Sequence, residues 1–135
     1  MEKLWSLNAY EISKLFKNKE VSAVEICNET IKHIESVNPK INAIVVDTFK
    51  YAKETAENLD KKLNQGNPLG ILAGVPVTIK VNTDQAGFAS TNGLRIQKNL
   101  MATKDSPVVN NLKKAGALII GRTNTPAFSI HWFTR

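Results

Sequence analysis

Lys80 and two polar runs are the residues of this sequence whose types and spacing suit chemistry. Lys80 ends the stretch Gly70-Ile71-Leu72-Ala73-Gly74-Val75-Pro76-Val77-Thr78-Ile79-Lys80. Within it Val75, Val77 and Ile79 alternate with Pro76, Thr78 and Lys80, the period of a strand. Pro76 cannot donate to a ladder, so it belongs at the first position or on an unpaired side. Lys80 then stands at the strand's carboxyl end, on the face of Thr78, where open α/β sheets bind ligands. A lysine there can meet a ligand or simply end the strand in solvent, and spacing alone favours the latter. The polar runs are Ser90-Thr91-Asn92-Gly93 and Gly121-Arg122-Thr123-Asn124-Thr125-Pro126, which concentrate hydroxyls, amides and turn residues.

Other chemistries find no support. One cysteine, Cys27, excludes an internal disulfide and a cysteine-based metal site, and two histidines lack metal-ligand spacing to carboxylates. His33 falls on a solvated helix face and reads as structural. No dinucleotide fingerprint or Gly-Lys-Ser/Thr loop occurs, so no cofactor is expected. The net charge of +6 is spread along the chain. Aromatic residues do not interleave with basic ones on a strand, so no nucleic-acid partner is expected.

The elements that position these residues can be read in order. Asn8 and Glu11 form a capping box with Leu7 and Ile12 as staple, starting a helix that runs to about Lys17 with Ile12, Leu15 and Phe16 on one side. Ser22 and Glu25 start a second helix, with Val24, Cys27, Ile31 and Ile34 as its stripe and Pro39 as its stop. Ile41 to Val46 reads as a strand. Asp47 or Thr48 caps a helix to about Gln65, with Phe49, Ala52, Ala56, Leu59 and Leu63 inward and Gly66 as its C′ residue. The segment 81–104 has little periodicity, and a connection of that length is commonly functional. Ser106 and Pro107 start the last helix, with Val108, Val109 and Leu112 inward. Ala117 to Ile120 follows as a buried strand, parallel to the lysine-bearing one across a crossover.

At 135 residues the chain has the length of one ordinary domain. Its 42% hydrophobic and 22% charged residues describe a globular chain. There is no signal-peptide pattern and no apolar run of membrane-spanning length, so a reduced, cytoplasmic location without a membrane partner is expected.

The blocks Leu72-Ala73-Gly74-Val75-Pro76-Val77-Thr78-Ile79-Lys80, Ser90-Thr91-Asn92-Gly93, Lys114-Ala115-Gly116-Ala117 and Gly121-Arg122-Thr123-Asn124-Thr125-Pro126 resemble, in order, the N-terminal part of the amidase-signature family. The capped start of the second helix and the ending His131-Trp132-Phe133-Thr134-Arg135 add to the likeness. The resemblance implies an α/β fold, the N-terminal part of a mixed-sheet α/β/α architecture with about three strands and four helices. It implies one incomplete domain over 1–135, helical with one strand over 1–66 and opening the α/β core over 67–135. It also implies amide hydrolysis by a Ser–cis-Ser–Lys triad, in which Lys80 matches the lysine. Such a lysine works only when neutral, which requires a pKa well below its usual value of about 10.4 and hence an apolar, buried setting.

The same likeness exposes departures. Both triad serines belong to a Gly/Ser-rich segment that this sequence lacks, and Ser90 and Ser106 do not match their positions. Val81 stands where the family commonly has Asp, and Ala127 where it often has Glu. The implied partner is a small-molecule amide, with this chain inactive alone. The alternatives are a piece of the amide-transferring chain of a tRNA-dependent amidotransferase, and a non-catalytic interaction module. An incomplete sheet is further expected to leave apolar surface exposed and to self-associate through its edge.

Overall fold

A computed structural model of the chain describes residues 3–132. A 3-10 turn at Leu4–Ser6 leads to α1 (Ala9–Lys17), whose Asn8–Glu11 capping box is fully formed. Helix α2 (Ala23–Ile41) starts on the Ser22–Glu25 box. It carries a second cap from outside: the Asp60 carboxylate accepts the Ala23 N–H at 2.7 Å and the Val24 N–H at 3.2 Å. Pro39 does not stop α2, which continues to Ile41. The proline lies in the exposed last turn; it forfeits its own N–H and crowds the carbonyl four residues back, but two residues before the helix end only one turn is affected. The Asn42 N–H bonds the Asn38 carbonyl at 2.7 Å, and Asn42 leaves the helix in the left-handed region.

The first strand therefore starts later than its apolar run predicts: β1 is Ile44–Asp47, and Ile41 belongs to α2. Asn38 fixes the junction, since its side chain donates to the Ile44 carbonyl and accepts the Ile44 N–H, both at 2.8 Å. Helix α3 (Phe49–Asn64) follows, with Gly66 at positive φ after its end. Its N-cap residue, Thr48, makes no cap bond; its buried hydroxyl donates to the Ile119 carbonyl at 2.8 Å.

The second half supplies β2 (Pro76–Lys80), α4 (Pro107–Lys114) and β3 (Leu118–Thr123). Pro76 opens β2, as the missing donor requires, and Ser106 caps α4 with Pro107 in its first turn. Val108 does not face inward; it is exposed while Val109 is buried.

The sheet order is β1-β3-β2. β2 runs parallel to β3 and β1 antiparallel, so the central strand joins the two halves of the chain. β3 is buried along Leu118–Arg122, as a strand covered on both faces must be. Leu118 and Ile120 pack with Val75 into the larger core, shared with Phe16 of α1, Ile26, Cys27 and Ile31 of α2 and Ala56 of α3. Ile119 points the other way and packs with Ile79 against Val109 of α4. β1 and β2 are both edges among the described residues, and Val45 and Val46 on β1 are exposed.

Candidate functional site at the carboxyl ends of two strands

The parallel pairing of β2 and β3 sets Lys80 opposite Thr123. Both strands end there, and both polar runs converge on that end. The Val81 N–H continues the ladder to the Thr123 carbonyl at 3.0 Å, and a tight turn closes with the Thr83 N–H on the Lys80 carbonyl at 2.9 Å. Beyond the strands, the Asn82 amide donates to the Ser129 hydroxyl at 2.9 Å, and that hydroxyl lies 2.8 Å from the hydroxyl of buried Thr125.

The run Ser90–Gly93 packs on the run Gly121–Pro126. A Cβ on Gly93 would lie 2.7 Å from the Thr125 carbonyl oxygen, so only glycine permits that approach. The Phe128 N–H donates to the Asn92 carbonyl at 2.8 Å. Phe128 and Ser129 take φ of 51° and 60°, two successive non-glycine residues in the left-handed region. Such conformations cost about 1–3 kcal/mol each and persist where surrounding contacts impose them.

The Lys80 side chain is exposed, and it forms no hydrogen bond or ion pair among the described residues. The buried setting expected for it is not present within residues 3–132. Val81 beside it is buried. Ala127 stands in the short turn Ala127–Ser129, and Phe133, Thr134 and Arg135 of the final run lie outside the described residues.

The other hydroxyls and histidines are placed elsewhere or used structurally. Ser106 accepts the Val109 N–H as a helix cap. Ser90 is buried and donates to the Asp84 carboxylate in a short hydrogen bond. His33 stacks flat on Trp5 with ring centroids 3.7 Å apart. Among the described residues no group of three His, Cys, Asp or Glu side chains is arranged to hold a metal ion.

Arg122 is the residue that sequence reasoning missed. It lies inside β3, fully buried, and not in a loop after the strand. Its guanidinium donates to the Gln85 side-chain carbonyl at 3.1 Å and to the main-chain carbonyls of Val81 at 3.3 Å, Thr83 at 3.2 Å and Ala89 at 3.1 Å. The Phe88 ring lies 5.6 Å from its central carbon. Burial lowers its pKa from the usual arginine value, opposed by the nearby Asp84 carboxylate. One signal was available: an arginine two residues after an unbroken apolar run, with no acid beside it in sequence.

The loop that Arg122 gathers is ordered by its own pairing as well. Ala89 and Met101 form an antiparallel bridge, and the Ala86 N–H donates to Asp105 at 2.9 Å. Asp105 in turn pairs with Lys113 of α4 at 2.7 Å.

A sequence profile described as Amidase matches residues 25–135. An indoleacetamide hydrolase of Bradyrhizobium diazoefficiens is 44% identical over 131 residues, which are 97% of this chain and 25% of that protein. A chain of the glutamyl-tRNA(Gln) amidotransferase of Carboxydothermus hydrogenoformans is 42% identical over 127 residues, 94% of this chain and 26% of that protein. The crystal structure of a bacterial aryl acylamidase, described as one of the amidase signature enzymes, superposes with a TM-score of 0.87. That match has 33% identity and covers 90% of this chain and 26% of the other. The chain thus spans about a quarter of the length of the proteins it matches.

Proposed function

Because the chain belongs to the amidase-signature family, we propose that it carries the lysine-bearing part of an amide-hydrolysing site, with Lys80 as the base of a Ser–cis-Ser–Lys triad. The observation that supports this most directly is the convergence of both polar runs on the strand end that bears Lys80. In the proposed step Lys80, neutral, takes a proton through the bridging serine from the nucleophilic serine, whose oxygen bonds the amide carbonyl; the C–N bond then breaks, the amine leaves with that proton, and water releases the acid from the acyl-serine. The sequence contains no Gly/Ser-rich run to supply the two serines, so the 135 residues alone are expected to be inactive. An arylalkyl amide is the substrate class we favour, since the relatives include an indoleacetamide hydrolase and an aryl acylamidase. A reduced, cytoplasmic setting suits the free, buried Cys27 thiol, and among the described residues no helix is long and apolar enough to cross a membrane.

The test is a chimera in which this chain replaces the matching quarter of the Bradyrhizobium indoleacetamide hydrolase. The chimera should release ammonia from indoleacetamide, and Lys80→Ala should lower its kcat by about 10²–10⁴, the usual worth of a general base. Activity of the Lys80→Ala chimera within about tenfold of the parent chimera would refute the role, being far below that worth. A second reading, part of a tRNA-dependent amidotransferase, rests on the 42% identity to the Carboxydothermus chain. Turnover of glutamine in place of indoleacetamide would favour it.

A further inference from the structure

A fully buried arginine that spends its donors on main-chain carbonyls is shaping a loop. Arg122 reaches the carbonyls of Val81, Thr83 and Ala89 and the Gln85 side chain, all within nine residues of Lys80. Its Nε is buried without a hydrogen-bond partner among the described residues. A buried donor left unmet is costly, so the two terminal nitrogens and not the whole group justify the residue's place. Those nitrogens form a planar fork that no lysine reproduces.

The turn they hold is the one that leaves Lys80. The Thr83 N–H closes on the Lys80 carbonyl, and Arg122 clamps the carbonyls of the two residues Val81 and Thr83 that flank Asn82. Asn82 is then aimed at Ser129. With Lys80 on an edge strand and its side chain in solvent, no contact of that side chain fixes it; its direction follows from the main chain on either side. β3 fixes the chain before it by the ladder, and Arg122 fixes the chain after it.

We propose that Arg122 is a positioning residue for Lys80, acting from the central strand through the carbonyls of the 81–89 loop. The inference rests on the reading of Lys80 as the base, but its test does not.

The experiment uses the full 135-residue chain with Arg122→Ala and Arg122→Lys. Amide hydrogen exchange is followed at Thr83 and, as a distant reference, in α3. The rate of Lys80 acetylation by trace acetic anhydride at one pH is measured against that of Lys50 of α3 in the same sample. Loss of hydrogen bonds from a charged donor should speed Thr83 exchange by about tenfold or more in Arg122→Ala, with α3 little changed. The Lys80 acetylation rate relative to that of Lys50 should change in Arg122→Ala as the turn after the strand loosens. Millimolar guanidinium should restore both readouts in Arg122→Ala, and methylammonium should not, because only the former has the fork. Arg122→Lys, which keeps charge and stem, should show the same local loss. Unchanged Thr83 exchange and Lys80 labelling would overturn the proposal. So would equal loss of protection in α3 and the turn in both variants, or equal rescue by methylammonium. Should the Lys80→Ala chimera stay active while guanidinium rescue succeeds here, Arg122 positions a lysine that is not the base, and the two failures are told apart.

Discussion

Gly70→Ala tests how the lysine-bearing strand is anchored. The segment before β2 lies directly on the end of α4: the Leu72 N–H bonds the Ala115 carbonyl at 2.9 Å, and the Gly74 N–H bonds the Gly116 carbonyl at 3.2 Å. A Cβ on Gly70 would lie 2.2 Å from the Ala115 carbonyl oxygen, 2.3 Å from its carbon and 2.7 Å from its Cα. These are main-chain atoms, so no side chain can swing aside. The segment must lift, at a cost of about 1–3 kcal/mol for overpacking. Lifting it weakens the two main-chain bonds, each worth about 0.5–1.5 kcal/mol. The expected loss is about 2–6 kcal/mol, a large part of the 5–15 kcal/mol typical of a domain. Gly66→Ala is the control. Its Cβ would meet nothing within 4 Å, but Gly66 has φ of 73°. That substitution should cost only the left-handed penalty of about 1–2 kcal/mol. Urea unfolding followed by circular dichroism measures both. A Gly70→Ala midpoint at or above that of Gly66→Ala would refute the contact.

Asp60→Ala should cost about 1–2 kcal/mol in the same unfolding assay, because it strips two N–H partners from the start of α2 although the Ser22–Glu25 box remains; a loss below about 0.3 kcal/mol would contradict the cross-helix cap. Burial pushes the Cys27 thiol up to about 11 from an ordinary 9.0, with Lys53 opposing. A raised thiol pKa stabilises the fold fully below the unfolded value and loses that contribution as pH rises toward the folded one. Through this thiol, stability should therefore fall by about 2 kcal/mol more between pH 9 and 11 in wild type than in Cys27→Ala, and equal falls would sink the assignment.

The parts legible in the sequence were those governed by neighbours in the chain. Asn8, Ser22 and Ser106 cap their helices because a cap and its partner lie within three residues. Pro76 opens its strand because a missing donor is a property of one residue. The misreadings have non-local causes. Thr48 looks like a helix cap, but its hydroxyl is taken by Ile119, 71 residues away. Ile41 to Val46 carries a strand's composition, yet Asn38 reaches forward to Ile44 and α2 claims Ile41 first. β3 runs on through Gly121, Arg122 and Thr123, where glycine, charge and hydroxyl read as loop. Nothing local reveals that the terminal nitrogens of Arg122 are held by a loop some 33 to 41 residues earlier. At the candidate site, the strand end was readable from its alternation, while the residue that shapes its turn was not.

The two departures from the family pattern bear on Lys80 in a particular direction. A carboxylate next to an amine holds its proton, and a base must give the proton up. Val81 and Ala127 stand where the family often has acids, and neither can hold a charge near the strand end. Asp84, the next acid along the chain, is engaged by the Ser90 hydroxyl and lies near the Arg122 guanidinium. The groups that line this end of the sheet are amides and hydroxyls: Asn82, Ser129 and Thr125. The proposed base role therefore turns on exposure: the Lys80 side chain stands in solvent among the described residues, and a catalytic site at this strand end needs it covered.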